Sequence, residues 1–310
     1  MRILVTGARG FLGSHLVPII SRDKENEVVS VSSLDFDLTN FDETMKCLYE
    51  HKPDVIFHLA GLSGGIGANL SRPEEFYFVN TLLIANMFQA ASKFHVEHLI
   101  VPIGGCSYPS NAKSPIKEEE MWSGFPHGAS AAYSSAKKMA IVAAQAYRSV
   151  GLNSTILVPG NMYGEYDNFS LNDSHVIPAI IRKIYEAKFS GEKKITMWGG
   201  GKPLRDFVYA GDVADIMSKV ISKSIIGPIN ISTGTSVSIK ELTEIIASKM
   251  KFQEEIFWDI TKPEGQSIKI FDVTKLEKLR FKCNTSLATG LERTISWFES
   301  NYVIPGKVRL

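Results

Sequence analysis

The chain has 310 residues, 44% of them hydrophobic and 22% charged, with a formal net charge of +1. That is ordinary globular composition, long enough for one large core or two packed lobes, and it gives no electrostatic case for nucleic acid or an anionic membrane. No apolar run approaches the ~17 residues a membrane-crossing helix needs, and three scattered cysteines (Cys47, Cys106, Cys283) suit neither a disulfide framework nor a metal site.

The start, MRILVTG, enters a strand at once and leaves no room for a signal peptide, so a soluble protein of the reducing cytoplasm is expected. RILVTG is a short apolar run closed by glycine, as buried parallel strands are. Phe11, Leu12, Leu16, Ile19 and Ile20 then recur at helical spacing. EVVSV reads as a second strand, followed by a turn at DFDLTN and a short helix before Pro53. DVIFHLAG is a third strand and EHLIVPIGG a fourth, with a helix from Glu74 to Phe94 between them. AYSSAKKMAIVAAQAYRSVG is a long amphipathic helix closed by Gly151, and NSTILVPG is a fifth strand. This alternation predicts an α/β fold, a doubly wound parallel (Rossmann) sheet that binds its ligand at the carboxyl ends of the strands. Residues 1–164 are expected to form the dinucleotide-binding domain. Beyond about residue 165 the alternation blurs, and 165–310 reads as a smaller mixed lobe with some segments returning to the first domain.

TGARGFLG places Gly7, Gly10 and Gly13 between the first strand and the first helix. The first glycine permits a tight turn, the second lets a phosphate approach the backbone, and the third lets helix and strand pack. Asp37 stands where such folds contact adenine, or else simply forms the turn. The end of the second strand, SVSS, offers neither an acid for a free ribose 2′-hydroxyl nor an Arg for a 2′-phosphate. Arg9, assisted by Ser32 or Ser33, is then the candidate phosphate ligand, which favours NADP(H) and leaves NAD(H) as the alternative. Further on, Tyr133 and Lys137 in YSSAK lie one helical turn apart and share a face. A neighbouring ammonium lowers a phenol's pKa, so Tyr133 is expected to exchange a proton with a carbonyl or alcohol while a nicotinamide exchanges hydride.

A dinucleotide glycine loop followed by Tyr-x-x-x-Lys resembles the extended short-chain dehydrogenase/reductase family. SGGIGANLSRPEEFYFVN, CSYP, PIKEEEMWSG, MYGEYDNF, SHVIPAIIRK, MWGGGKPLRDFVY and KPEGQ together resemble its GDP-L-fucose synthase branch. The resemblance implies a bifunctional enzyme acting on a GDP-sugar. It epimerises GDP-4-keto-6-deoxy-mannose at C3 and C5, then reduces C4 with NADPH. It also implies that the second lobe holds the nucleotide sugar and that the protein is a homodimer, packed through helices flanking the Tyr. Ala140, Ala143 and Ala144 permit such packing, or face the sheet. Cys106 and His175 fall where the family keeps its acid/base pair, and both residue types titrate within reach of neutral pH. By the same resemblance Phe11, Leu12, Leu38, Leu59, Ala60, Pro159 and Asn161 contact the cofactor. Ser107, Asn161, Lys183, Trp198 and Arg205, with His175, contact the substrate.

One position departs from the pattern. The family keeps Ser or Thr four residues before the Tyr of SYP, and this chain has Gly104 there, followed by Gly105. Losing such a donor at a developing alkoxide costs about 100- to 1000-fold in rate. Ser107, backbone amides beside the two glycines, or a water are the candidate replacements. Three functions follow: an epimerase/reductase with Gly104 compensated; a related enzyme (a 4-reductase of a bulkier GDP-sugar such as a heptose, an epimerase alone, or a C4 epimerase); or a catalytically silent NADP-binding scaffold.

Overall fold

A computed structural model describes residues 1–310 apart from 224, 263 and 264. In chain order it contains β1 (Arg2–Thr6), α1 (Phe11–Ile20), β2 (Glu27–Val31), α2 (Phe41–His51), β3 (Val55–His58), α3 (Ile66–Ser71), α4 (Pro73–Lys93), β4 (His98–Pro102), α5 (Ala131–Arg148) and β5 (Ser154–Pro159). There follow β6 (Asn161–Tyr163), α6 (Val176–Ser190), β7 (Lys194–Trp198), β8 (Leu204–Arg205), β9 (Phe207–Tyr209), α7 (Ala210–Val220) and β10 (Pro228–Ile231). The chain closes with β11 (Val237–Ser238), α8 (Ile239–Lys249), β12 (Glu255–Asp259), β13 (Ile268–Lys269), α9 (Thr274–Lys278) and α10 (Leu287–Asn301).

Six strands form one parallel sheet in the order β10-β5-β4-β3-β1-β2. Strand residues alternate between two cores because successive side chains point to opposite faces. Leu4, Ile56, Leu99, Val101, Ile156 and Val158 meet Leu83, Met87, Phe88, Ala140 and Ile141 of α4 and α5 on one face. Ile3, Val5, Phe57, Ile100 and Leu157 meet Leu16 of α1 and Val213 and Met217 of α7 on the other. With helices on both faces every position of β3 and β5 is buried, their polar residues His58, Ser154 and Thr155 included. Each of the larger apolar side chains stabilises the fold by about 1.5–3 kcal/mol. The chain leaves β1 in one direction to reach β2 and returns on its other side as β3, so a crevice opens at the carboxyl ends of β1 and β3.

The residues after 165 divide. A second core gathers Tyr163, Ile181, Tyr185, Leu242, Ile246, Leu291 and Phe298, flanked by the β7–β12 pair and the β11-β8-β13 sheet. Meanwhile α7 packs against α1, and β10 joins the edge of the large sheet beside β5. Among the described residues no helix is long and apolar enough to cross a membrane.

Candidate active site

At the cofactor end the glycine requirements are steric. Gly7 has φ +65°, and a Cβ there would lie 2.8 Å from the Ala60 nitrogen. A Cβ on Gly13 would meet the Gly7 carbonyl oxygen at 2.6 Å, so helix and turn close only without side chains. Gly10 begins α1 with no side-chain cap and no acid in the first turn, which leaves the helix N-terminus to an anion. Leu59 and Ala60 follow β3 beside Gly7, and the Ala60 amide donates to Thr6 Oγ1 (3.2 Å). Arg9 is exposed.

Deeper in the crevice, Tyr133 and Lys137 project from α5 towards the 3₁₀ turn Gly105–Ser107 that follows β4. Lys137 is 5% exposed, and burial lowers its ammonium to about 8. Burial also raises the Tyr133 phenol, with the neighbouring Cys106 adding to the effect. The direction is thus opposite to the sequence-based expectation of a lowered phenol: burial and Cys106 set it, and Lys137 is not among the groups that shift it. At neutral pH Tyr133 is a protonated phenol, ready to donate. Cys106 interacts electrostatically with Tyr133, Lys137 and Lys269, and Lys269 in turn with Arg205. These five form one contiguous array drawn from four parts of the chain.

The profile of the "NAD dependent epimerase/dehydratase family" matches residues 3–232, three-quarters of this chain and all of its glycine-loop and Tyr-Lys geometry. The chain belongs to that family. It is 35% identical over 302 residues to the GDP-L-fucose synthase of Sinorhizobium fredii, covering 97% of this chain and 96% of the relative. A GDP-L-fucose synthetase of Naegleria fowleri, solved bound to NADP, superposes with a TM-score of 0.92 at 27% identity, covering 100% of this chain and 95% of that one. The GDP-mannoheptose C4 reductase of Campylobacter jejuni, solved with NADP bound, gives 0.86 at 27% identity, with 96% and 98% covered.

Phe11 and Leu12 open α1, Leu38 is buried, and Pro159 ends β5 with its carbonyl near Gly105. Asp37 accepts from the Thr39 amide and hydroxyl (3.0 and 2.6 Å), the turn-forming role. Ser32 donates through amide and hydroxyl to Asp35, both at 2.8 Å, so an acid does reach the end of β2 by folding back. Those bonds, with Arg9 and His51 nearby, hold the Asp35 carboxyl below its usual range. Asn161 spends its amide on the Asp206 carbonyl (2.8 Å), and Lys183 donates to the Thr196 carbonyl (2.9 Å). Trp198 is 58% exposed, at the end of β7. Arg205 donates to its neighbour's carbonyl, and its guanidinium lies near Gly265, beside Ile66 of α3. Of the KPEGQ block, residues 263 and 264 lie outside the described residues.

His175 occupies the N-cap position of α6, yet its side chain caps nothing. The residue is exposed at the surface, yet the protein around the ring desolvates it and lowers its pKa, leaving a neutral imidazole able to accept a proton. Its loop meets Tyr133 indirectly. Gly65 N–H donates to the Asp173 carbonyl (2.8 Å), a Gly64 Cβ would touch Phe76, and Phe76 stacks edge-on against Tyr133 (6.2 Å between centroids).

Position 104 can now be read. A Cβ at Gly104 would lie 2.9 Å from Cys106 Sγ, 3.3 Å from Tyr133 Cε1 and 3.6 Å from the Tyr133 hydroxyl. The gap thus faces the phenol, with the thiol as its nearest neighbour. Ser107 is fully buried, and its hydroxyl donates to the Ser134 carbonyl (3.4 Å). Gly105 opens no space for ligand: its Cβ would collide with Phe271 (2.6 Å), which is 1% exposed. Phe271, Lys269 and Asp206 went unrecognised in the sequence. Asp206, fully buried, binds the amides of Gly234 (3.1 Å) and Phe271 (3.3 Å) and the Thr233 hydroxyl (2.7 Å), and so fastens Phe271 in place. The acid following Arg205 was visible; its partners, 27 to 65 residues away, were not.

Proposed function

We propose that this chain converts a GDP-4-keto-6-deoxy-mannose-type sugar to GDP-L-fucose or a close analogue by C3/C5 epimerisation and NADPH-dependent C4 reduction. The observation that carries the reading is the protonated Tyr133 beside Lys137 and Cys106 at the carboxyl end of the sheet. The curated relative and the NADP-bound neighbours described above support it. The turn at Gly7–Gly13 and the uncapped α1 fit a pyrophosphate, and exposed Arg9 is the cation available to an adenosine phosphate. When bound, NADPH supplies the hydride.

The chain's residues do the rest. The 4-keto group acidifies C3–H and C5–H. One of Cys106 and His175 removes the proton from one face, and the other returns a proton to the opposite face. Neutral His175 suits the accepting role. In the reduction Tyr133 gives its phenolic proton to the C4 oxygen as that oxygen gains charge, and the Lys137 ammonium stabilises the phenolate left behind. Arg205 and Lys269 supply positive charge for the diphosphate.

The C4 reduction of a heptose is the second reading. It rests on the Campylobacter neighbour and on the missing side chain at Gly104, where Cys106 Sγ and the Tyr133 ring already crowd the Cβ position; Gly105, filled by Phe271, adds nothing to it. Homodimer formation and a cytoplasmic site belong to the same proposal. Tyr77 and Phe78 of α4, Met139 and Val142 of α5, and nearby Trp122 and Phe125 are exposed, and all three cysteines are unpaired. Ala140 and Ala144 face the core, so the small-residue stripe is not that surface. Absorbance at about 340 nm tests the function: NADPH is consumed with GDP-4-keto-6-deoxy-mannose, and its persistence with that sugar and every other keto sugar favours the silent scaffold.

A further inference from the structure

The loop from residue 164 to 175 carries His175 at its far end, and its near end is gripped by groups the chemistry does not use. Tyr166 has φ +66°, a left-handed conformation that costs a non-glycine residue about 1–2 kcal/mol and persists only where neighbours fix it. Its carbonyl accepts from the Arg309 guanidinium. The Arg309 carbonyl in turn takes the Phe169 N–H (2.8 Å), and Asn168 and Arg309 form a parallel bridge. Val308, 8% exposed, plugs into the second core and anchors this tail.

Beneath these bonds lies Asp167, 3% exposed. One of its carboxyl oxygens accepts from the Asn168 amide (2.7 Å), and the other has no hydrogen-bond partner among the described residues. Burial raises this carboxyl to about 7, against the pull of Arg309. The near end is also fastened by the Arg182 guanidinium on the Phe169 carbonyl (3.0 Å) and the His15 ring N–H on the Glu165 carbonyl (3.0 Å). From Phe169 onward the next tie to another part of the chain is the Gly65–Asp173 bond, two residues before His175.

We propose that Val308–Arg309 is a strap, and Arg309 a positioning residue, that holds the 164–175 loop so that His175 faces the sugar. The role given to His175 rests on the function proposed above; the strap itself does not. Arg309→Ala removes the guanidinium, and Arg309→Lys keeps one donor for the Tyr166 carbonyl. Amide hydrogen exchange over 164–175 is expected to speed up about 10-fold in Arg309→Ala and to stay near wild type in Arg309→Lys. Solvent deuterium entry at C3 and C5 of GDP-4-keto-6-deoxy-mannose should fall about 10-fold in Arg309→Ala. Reduction of NADP⁺ by GDP-L-fucose, which needs only the C4 hydride, should change less than about 2-fold. Unaltered loop exchange in Arg309→Ala overturns the strap. Equal loss in both activities overturns the positioning role. Absent deuterium entry in the wild-type enzyme defeats the reading of His175 alone, and loop exchange then still decides the strap.

Discussion

From Arg2 to Ile20 one strand, one turn and one helix make the cofactor end of the cleft. The proposed substrate end gathers Gly104–Cys106, Tyr133–Lys137, Arg205 and Lys269–Phe271 from distant parts of the chain, and His175 joins it only through its loop's contacts with Gly64 and Gly65. In the first region the backbone does the work and side chains are excluded: Gly7 and Gly13 admit no Cβ. In the second, desolvated side chains do it, with Cys106 acting on Tyr133, Lys137 and Lys269. A backbone cradle tolerates variation in chemistry but none in shape. A side-chain array reverses that, which is how one scaffold serves synthases and heptose reductases alike.

Variants divide along the same line. Tyr133→Phe should lower NADPH oxidation by about 10³-fold while cofactor binding, measured by fluorescence titration, stays within a factor of about two; undiminished turnover would break the account of the substrate end. Cys106→Ser should slow deuterium entry at C3 and C5 by about 10²-fold and reduction of an already epimerised ketone far less. Equal slowing of both contradicts its acid/base role. Gly104→Ser sharpens the contrast between shape and chemistry. Its Cβ meets the movable Sγ of Cys106 and puts a hydroxyl beside Tyr133. C4 reduction of the fucose precursor should rise about 10-fold, within what one such donor contributes. A loss there with no loss for a heptose substrate would instead mean that the sugar fills the gap.

The smallest effect expected is on stability. Folded Asp167 keeps its proton to about pH 7, whereas the unfolded chain releases it near 3.8, so the folded state loses stability as pH rises through that window. Asp167→Asn removes this loss. Relative to wild type its Tm should be higher at pH 8 than at pH 5 by a few degrees (roughly 2–4 °C per kcal/mol for a chain of this size). The same difference at both pH values would mean that Asp167 is ionised throughout.

The first region was legible because its rules are local. Glycine spacing, apolar runs and helical periodicity gave the parallel sheet and the turn, and the family profile covers the same stretch. Tyr133 and Lys137 were equally plain, being one helical turn apart. The raised phenol was not, because burial comes from Phe76 and the loops above it and leaves no mark on YSSAK. Asp35 escaped notice because only the turn folds it back to Ser32. Lys269 ends a short strand paired with Arg205 and Phe271 follows two residues on, bridged to Ile116, and no periodicity within SIKIFDV announces either partner. The two glycines looked alike in sequence; one faces the phenol and the other is filled by an aromatic ring.

The most direct measurement is product analysis after turnover of GDP-4-keto-6-deoxy-mannose with NADPH in heavy water. Under the proposed roles, with protons exchanged by Cys106 and His175 and delivered by Tyr133, the product should carry carbon-bound deuterium at C3 and C5, none at C4, and one NADPH should be consumed per sugar. A reduced sugar with ordinary hydrogen at C3 and C5, or deuterated ketone with NADPH untouched, would contradict the joint assignment.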